Sequence, residues 1–410
     1  MRTSAILASW WRTRRATSMS PAALQWLRAA KWRSLQASMR QTPALAEHAG
    51  SKLAAFPITE ISEMRADYGR WNSLGLTHAQ CTALADAAER GEDTGKIVAG
   101  WSTGSGGGAR GLFLTDAAER ADYIGQSLAR LLPARALLRR QRIALHLRTD
   151  SALYADVRRR RIAFAHFPLG AAATATGEAL TRFNPTILIA PPHRLLGLAE
   201  QRCTLPSLAH LFYGSEPMSD AERAFVAERM GLRPQPIYQA TEGFLGGACR
   251  AGRLHLNDYA LDIELEPVAG TGGFRPVITD LHRHSQPIVR VRSDDFLELD
   301  ERGRCPCGFA GRTILPIMGR VRDLWHLPDR TLTPREVVET VEGALGEALR
   351  WQASASQQEI IFRTAPDCRT EILKAAAHRL HQLTALPVRS VYDLPEWKGT
   401  KRRKVVWHDG

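Results

Sequence analysis

A chain of 410 residues is too long for one hydrophobic core and implies two or three domains. Its 44% hydrophobic and 24% charged residues are those of a globular protein, and no run of about 18 apolar residues exists to span a membrane. The formal charge of +13 favours anionic partners such as nucleotides, nucleic acid, membrane surfaces or acidic proteins, and six scattered cysteines are too few for a disulfide framework, which points to a reducing cytoplasm.

Residues 1–90 carry Trp, Leu and Ala at helical spacing. Residues 5–11 form a short apolar run that Arg12, Arg14 and Arg15 close at once. A secretory leader needs a longer apolar core, so we read a basic amphipathic helix packed on the domain. From residue 96 the pattern alternates. Strand-like 96–101 leads into a Gly-rich loop, followed by a helix at 115–130, strands at 142–147, 161–167 and 186–190, a helix at 195–201, a strand at 208–213 and a helix at 220–230. Such alternation predicts a largely parallel sheet with crossover helices. Strands dominate 237–317. After Gly319 the chain reads strand, helix (334–345), strand (359–364), helix (369–383) and strand (388–392). The expected fold class is therefore α/β. A large N-terminal domain with mixed sheets and crossover helices spans residues 1–319, and a small α+β domain spans residues 320–410.

Five motifs carry candidate chemistry. The first is WSTGSGGGARG at 101–111. Its glycines let successive backbone N–H groups point into one concavity, and Ser102, Thr103 and Ser105 add hydroxyls around Gly104, which is what a polyphosphate needs. It lacks the Gly-Lys-Ser/Thr of a P-loop, and its alternative is a surface turn. The second is YQATEG at 238–243, where a carboxylate beside a hydroxyl suits a Mg²⁺–phosphate site: Glu242 for the metal, Thr241 for the phosphoryl oxygen. Tyr238 can stack on a base. The third is PIVRVRSDD at 287–295: Arg290 and Arg292 share one strand face and Asp295 ends it, suiting phosphate and ribose, or else cross-strand ion pairs. The fourth is GRVRD at 319–323, and the fifth is the basic tail WKGTKRRK at 397–404.

In this order and spacing the motifs resemble the adenylate-forming superfamily of acyl-CoA synthetases and peptide-synthetase adenylation domains. The chain is most similar to the phenylacetate–CoA ligase branch, including shorter proteins related to synthetases that adenylylate a deazaflavin cofactor. QATEGF at 239–244, LHLND at 254–258, CPCG at 305–308, GLFL at 111–114 and QPIVR at 286–290 carry the resemblance, which covers roughly residues 95–405. Enzymes that load hydroxybenzoate onto an acyl carrier protein resemble the same branch.

The resemblance implies ATP and Mg²⁺ as cofactors and assigns roles residue by residue. Ser102, Thr103, Gly104 and Ser105 would wrap the phosphates. Gly214, Ser215 and Glu216 would lie on one face of adenine and Tyr238 on the other. Thr241 and Glu242 would contact the α-phosphate and Mg²⁺, Asp295 the ribose, and Arg320 the ribose or phosphate from the hinge. The family pattern has an acidic residue two positions after that Arg; here Arg322 stands there, with Asp323 next. Among only seven lysines, Lys401 fits the small-domain lysine that offsets charge on the α-phosphate, with Lys398 second. Phe164, His166, Ala190, Gly243 and Phe244 would form the pocket of a small acid, with aromatics suiting an aryl ring and His166 a ring hydroxyl.

Cys249-x5-His255 and Cys305-x-Cys307 make a Cys₃His set that suits a closed structural zinc, against four unrelated residues near a turn. The activity expected is adenylation of a small, hydroxybenzoate-like acid, followed by transfer to a thiol, either carrier-protein phosphopantetheine or coenzyme A. The +13 charge favours an acidic carrier protein. Adenylylation of a cofactor hydroxyl is the second enzymatic reading. A basic zinc-containing nucleic-acid-binding protein is the reading from another class, and no aromatic–basic interleaving supports it.

Overall fold

The computed structural model describes residues 3–102, 110–146, 162–346, 350–394 and 402–408. Its centre is an eight-stranded sheet. Five strands lie parallel, in the order Ile162–His166, Gln141–Leu145, Ile187–Ala190, His210–Tyr213 and Gln235–Ala240. Helix Ala173–Phe183 crosses from Ile162–His166 over Gln141–Leu145 to Ile187–Ala190, and Pro192–Glu200 and Asp220–Met230 connect the strands after it. The strands are short apolar runs such as ILIA and HLFY, the composition of a sheet covered on both faces. After residue 240 the direction reverses, and Gly243–Ala248, Leu254–Leu256 and Thr313–Ile314 continue the sheet antiparallel.

A four-stranded sheet packs beside it, in the order Thr59–Glu60, Val291–Arg292, Phe274–Asp280 and Leu261–Pro267. Arg290 forks onto Glu264 with both bonds at 2.8 Å, and Arg292 bridges Glu60 and Glu266. The cross-strand alternative for these two arginines is thus the one that forms. A two-stranded ribbon pairs Val98–Trp101 with Leu112–Thr115, the strands that flank the Gly-rich segment in sequence.

The C-terminal module is a four-stranded sheet, Val388–Val391, Ile360–Thr364, Trp351–Ala355 and Val405–Trp407, with helices Pro334–Leu345 and Thr370–Thr384 against it. Its core of Trp325, Val337, Trp351 and Phe362 is separate from the N-terminal core around Leu35, Phe56, Tyr259 and Ile278. The α/β class with a small α+β module is therefore what the chain adopts. Elements not anticipated include strands Thr59–Glu60 and Leu112–Thr115, helix Ala173–Phe183 and strands Trp351–Ala355 and Val405–Trp407. The last, of three residues, is too short for period-two alternation to stand out. Among the described residues no helix is long and apolar enough to cross a membrane.

The N-terminal segment is the expected helix, Thr3–Ala16, laid against helix Ala117–Leu131. Ile6, Ser9, Thr13 and Ala16 face inward, and Ser9 Oγ donates to Asp122 Oδ1 at 2.6 Å. The close approach needs Gly125, where an added Cβ would stand 2.5 Å from Ser9 Cβ and 2.6 Å from the Ile6 carbonyl. Gly125→Ala should force the two helices apart and cost about 1–3 kcal/mol. A lowered urea midpoint at unchanged slope would show it, and an unchanged midpoint would mean that the helix is not docked this way.

Candidate active site

Open α/β sheets bind ligands beyond the carboxyl ends of their parallel strands. Here those ends are followed by His146, by Pro191 after Ala190, by Gly214–Pro217 after Tyr213, and by Thr241–Glu242 after Ala240. A cleft of about 720 Å³ opens over several of them.

The turn at 241–242 is held from three sides. Arg283 donates to the Thr241 carbonyl, and Thr241 Oγ1 donates to Glu242 Oε2 at 2.9 Å. Gly243 has φ +151°, and a Cβ there would meet Asp280 Oδ2 at 2.9 Å, so only glycine lets the chain turn so close to that carboxylate. The third side is the neck of the Gly-rich loop, where a Cβ on Gly111 would stand 3.1 Å from Thr241 Cγ2 and Oγ1. The neck is closed by Ser102 N–H to the Gly111 carbonyl at 2.7 Å and by Gly111 N–H to Ser102 Oγ at 2.9 Å. Arg110 reinforces it, donating to the Ser102 carbonyl and forking onto Glu89 at 2.8 Å. The structure thus brings the first two motifs together.

The third and fourth motifs meet them on the other wall. Tyr238 is buried and donates to Asp295 Oδ2 at 2.9 Å; burial and the neighbouring Asp295 raise its pKa well above the ordinary value. Asp295 and Arg320 pair through their backbones, with Arg320 Nε 3.9 Å from Asp295 Oδ1. Arg322 pairs with Asp294 at 3.3 Å, and Asp323 accepts from the Arg320 N–H at 3.1 Å and pairs with Arg403. Asp323, not position 322, is thus the acidic residue at this joint.

Gly214, Ser215 and Glu216 also line the cleft, Ser215 in a left-handed conformation at φ +73°. The Glu216 carboxylate is enclosed, bonded by His193 Nδ1 at 2.7 Å and by Arg402 Nε at 3.2 Å. Arg402 also reaches Glu222 at 3.0 Å, and Lys404 Nζ lies 2.9 Å from Glu222 and 2.6 Å from Glu342. Thr103, Gly104, Ser105, Lys398 and Lys401 lie outside the described residues.

Of the residues expected around the acid, Ala190, Gly243 and Phe244 line the cleft. Phe164 instead lines a wholly apolar side chamber of about 70 Å³, and His166 lies in neither lining. Tyr123, Ser127, Leu131, Leu145 and Ile189 border both cavities, so the chamber adjoins the cleft at Tyr123, whose ring meets Phe244 edge-on at 6.1 Å. Sequence reasoning missed helix Ala117–Leu131 as this wall, and missed Asp280, Arg283, Glu222 and Arg402. The tail's Arg-Arg-Lys run facing the Asp-Ala-Glu start of helix Asp220–Met230 was the available signal for the last two.

A separate cluster joins Cys249, His255, Cys305 and Cys307, whose ligand atoms all lie within 4.8 Å of one another. Cys249 Sγ is 3.6 Å from Cys305 Sγ, and His255 Nε2 is 3.4 Å from Cys307 Sγ. His255 Nδ1 bonds the Gly311 carbonyl at 2.8 Å, which turns Nε2 toward the Cys307 sulfur. Backbone N–H groups of Ala251 and Phe309 point at Cys249 and Cys307 sulfurs, both at 3.4 Å.

No protein-family model matches the sequence. Over 247 residues the chain is 26% identical to a phenylacetate–coenzyme A ligase of Thermus thermophilus, a match covering 52% of this chain and 54% of that one; the chain spans about half the length of the curated relative it matches. In structure it is similar to 2-hydroxyisobutyryl-CoA ligase in the post-adenylation state, with a TM-score of 0.71, 15% identity, and coverage of 97% of this chain and 91% of that one. Against the same ligase in the thioesterification state the TM-score is 0.57 at 15% identity, over 96% of this chain and 92% of that one. Anthranilate CoA ligase with bound anthranoyl-AMP matches at a TM-score of 0.50 and 14% identity, over 73% of this chain and 64% of that one.

The chain has the fold of the adenylate-forming ligases. Within them its sequence is similar to the phenylacetate–coenzyme A ligase branch, as the motifs implied.

Glu222 supplies a pH test of the contacts at the cleft mouth. Burial pushes its carboxyl up, but Arg402 and Lys404 outweigh that and hold it down at about 2. A depressed folded pKa gives stability that is present above the unfolded value and lost as pH falls, here between 4.5 and about 2. Glu222→Gln should flatten the acid limb of a stability–pH curve in that window, and an unaltered limb would contradict the pairing.

Proposed function

We propose that the protein is an AMP-forming acid–thiol ligase acting in the cytoplasm. The observation that carries this reading is the convergence of the loop neck at Ser102–Gly111, Thr241–Glu242 and the Tyr238–Asp295 pair on one cleft at the carboxyl ends of a parallel sheet. ATP would lie with its base near Gly214–Glu216 and Tyr238, its ribose on Asp295 and Arg320, and its phosphates toward Ser102 and the loop beyond it.

Glu242 and Thr241 offer the hard oxygen donors that Mg²⁺ takes, and they would hold it; when bound, the ion neutralises charge on the phosphates. A carboxylate oxygen of the acid attacks the α-phosphorus, and the bond to the β-phosphate oxygen breaks, releasing pyrophosphate. Lys401, carried by the small domain from residue 320 onward, would offset the meeting of two anions. A thiolate sulfur then attacks the acyl carbon, and AMP leaves with the bridging oxygen.

The apolar side chamber behind Tyr123 and Phe244 favours an acid with a flat or short apolar tail, hence a small aryl acid. With His166 outside the lining, no ring hydroxyl is assigned to it. Similarity to coenzyme A ligases favours a pantetheine thiol, either coenzyme A's own or that of a carrier protein; the +13 charge suits both anionic acceptors. Hydroxylamine-trapped pyrophosphate release across benzoic, hydroxybenzoic, phenylacetic and fatty acids tests the first step, and coenzyme A against holo-carrier protein tests the second.

Glu242→Ala should abolish acid-dependent pyrophosphate release in a folded protein. Near-normal release would remove Glu242 from the site.

Lys401→Ala should slow acyl-AMP formation by about 100-fold or more while sparing thiol transfer from supplied acyl-AMP. Equal loss in both half-reactions would contradict the role.

Cys249, His255, Cys305 and Cys307 would hold one structural zinc. A tetrahedron with Zn–S of about 2.3 Å and Zn–N of about 2.0 Å has edges of roughly 3.5–3.8 Å, close to the separations here. Elemental analysis should find one zinc per chain, lost together with thermal stability in Cys305→Ser. Zinc-free, fully stable protein would overturn the assignment.

A further inference from the structure

The contacts of Arg402 go beyond a general closure of two domains. Its guanidinium sits between two carboxylates from different parts of the large domain. Glu216 belongs to the loop after strand His210–Tyr213, and Glu222 to the first turn of helix Asp220–Met230. Both carboxylates are shut off from solvent, with side-chain exposures of 0% and 1%, and the Arg402 side chain is 16% exposed. Burial lowers the Arg402 pKa, but Glu222 and Glu216 outweigh this and raise it. Glu222 is shared with Lys404, whose Nζ also reaches Glu342 and lies 5.2 Å over the Trp351 ring, both in the C-terminal module. Lys404 is thereby fastened to its own module as well as to Glu222, while the two carboxylates that the Arg402 guanidinium meets both belong to the large domain.

Two enclosed carboxylates this close need cations between them, since an unpaired buried charge is strongly unfavourable. Arg402 and Lys404 come from the run leading into the C-terminal strand, and they reach these carboxylates with the module seated as it is here. Arg402 opens the run into strand Val405–Trp407 and is the residue next to Lys401. Glu216 is at the same time part of the loop assigned to adenine.

We propose that Arg402 is a positioning residue for acyl-adenylate formation: by bridging Glu216 and Glu222 it sets the register of the C-terminal strand at the cleft during the first half-reaction, and the bridge is released for the second. The proposal rests on the ligase reading above. Its logic is that of geometry: a reacting group displaced by about 1 Å costs on the order of 100-fold in rate. Lysine at 402 keeps the charge but lacks the planar fork that meets two carboxylates at once.

The test uses the full chain with Arg402→Ala and Arg402→Lys, checked for fold by circular dichroism. Hydroxylamine-trapped pyrophosphate release should fall on the order of 100-fold in Arg402→Ala and by clearly less in Arg402→Lys. Thioester formation from chemically supplied acyl-AMP should proceed at the wild-type rate in both. Small-angle scattering without ligands should show a larger radius of gyration for Arg402→Ala than for the wild type. Equal losses in both half-reactions, or undiminished pyrophosphate release, would overturn the proposal. Should the wild type release no pyrophosphate with any acid, the ligase reading fails, while scattering still decides the bridge: expansion supports it and an unchanged radius overturns it. Should Arg402→Ala not fold, Glu222→Gln takes its place with the same split expected and the same overturning results.

Discussion

The reversal of strand direction at residues 240–243 is the constraint on which the site depends. Gln235–Ala240 is the last parallel strand of the large sheet, and Gly243–Ala248 is the first antiparallel one. The two-residue link between them holds Thr241 and Glu242 at the carboxyl end of the parallel strands, where a ligand can approach. The register shift between Tyr238 and Gln239 comes just before it. Gly243 makes the reversal feasible against Asp280, and Gly111 lets the loop neck rest on Thr241. A side chain at either glycine would push apart groups that the proposed reaction brings to one phosphate.

Charge organises the second level. The excess of basic residues suggested a surface for anions, yet many arginines are used internally. Arg253 is buried on Asp300, Arg312 forks onto Asp258, Arg335 meets Glu298, and Arg290 and Arg292 lace the four-stranded sheet. Such pairs fix register more than they add stability, because desolvation offsets much of their attraction. At the cleft mouth the same chemistry takes on a different role: cations from the far end of the chain stand against the enclosed carboxylates of Glu216 and Glu222.

Much of this architecture is legible in the residues themselves. Apolar runs separated by helical stretches mark the parallel half of the sheet, where strands Gln141–Leu145, Ile162–His166, Ile187–Ala190 and His210–Tyr213 fall on the runs read from the sequence. The short motifs are legible too, because a glycine at a forced turn, a carboxylate beside a hydroxyl and an aspartate at a strand end each leave a local signature. What local pattern does not show is pairing across long separations. Arg290 and Arg292 read equally well as phosphate ligands or as partners of acidic neighbours, and only the folded sheet brings Glu264 and Glu266, two strands over, within reach of them. Phe164 and His166 are placed by strand position alone, whereas the cleft wall comes from helix Ala117–Leu131. Arg402 reads as part of a basic tail because Glu216 lies nearly two hundred residues away.

The central claim is that this cleft joins a carboxylate to the α-phosphorus of ATP. Oxygen tracing tests it most directly. An acid labelled with ¹⁸O in its carboxylate is incubated with protein, ATP, Mg²⁺ and hydroxylamine, and the AMP formed is examined by mass spectrometry. Attack by the carboxylate predicts one ¹⁸O in each AMP, left behind when the acyl group departs. AMP free of label, or ADP in its place, would contradict the account.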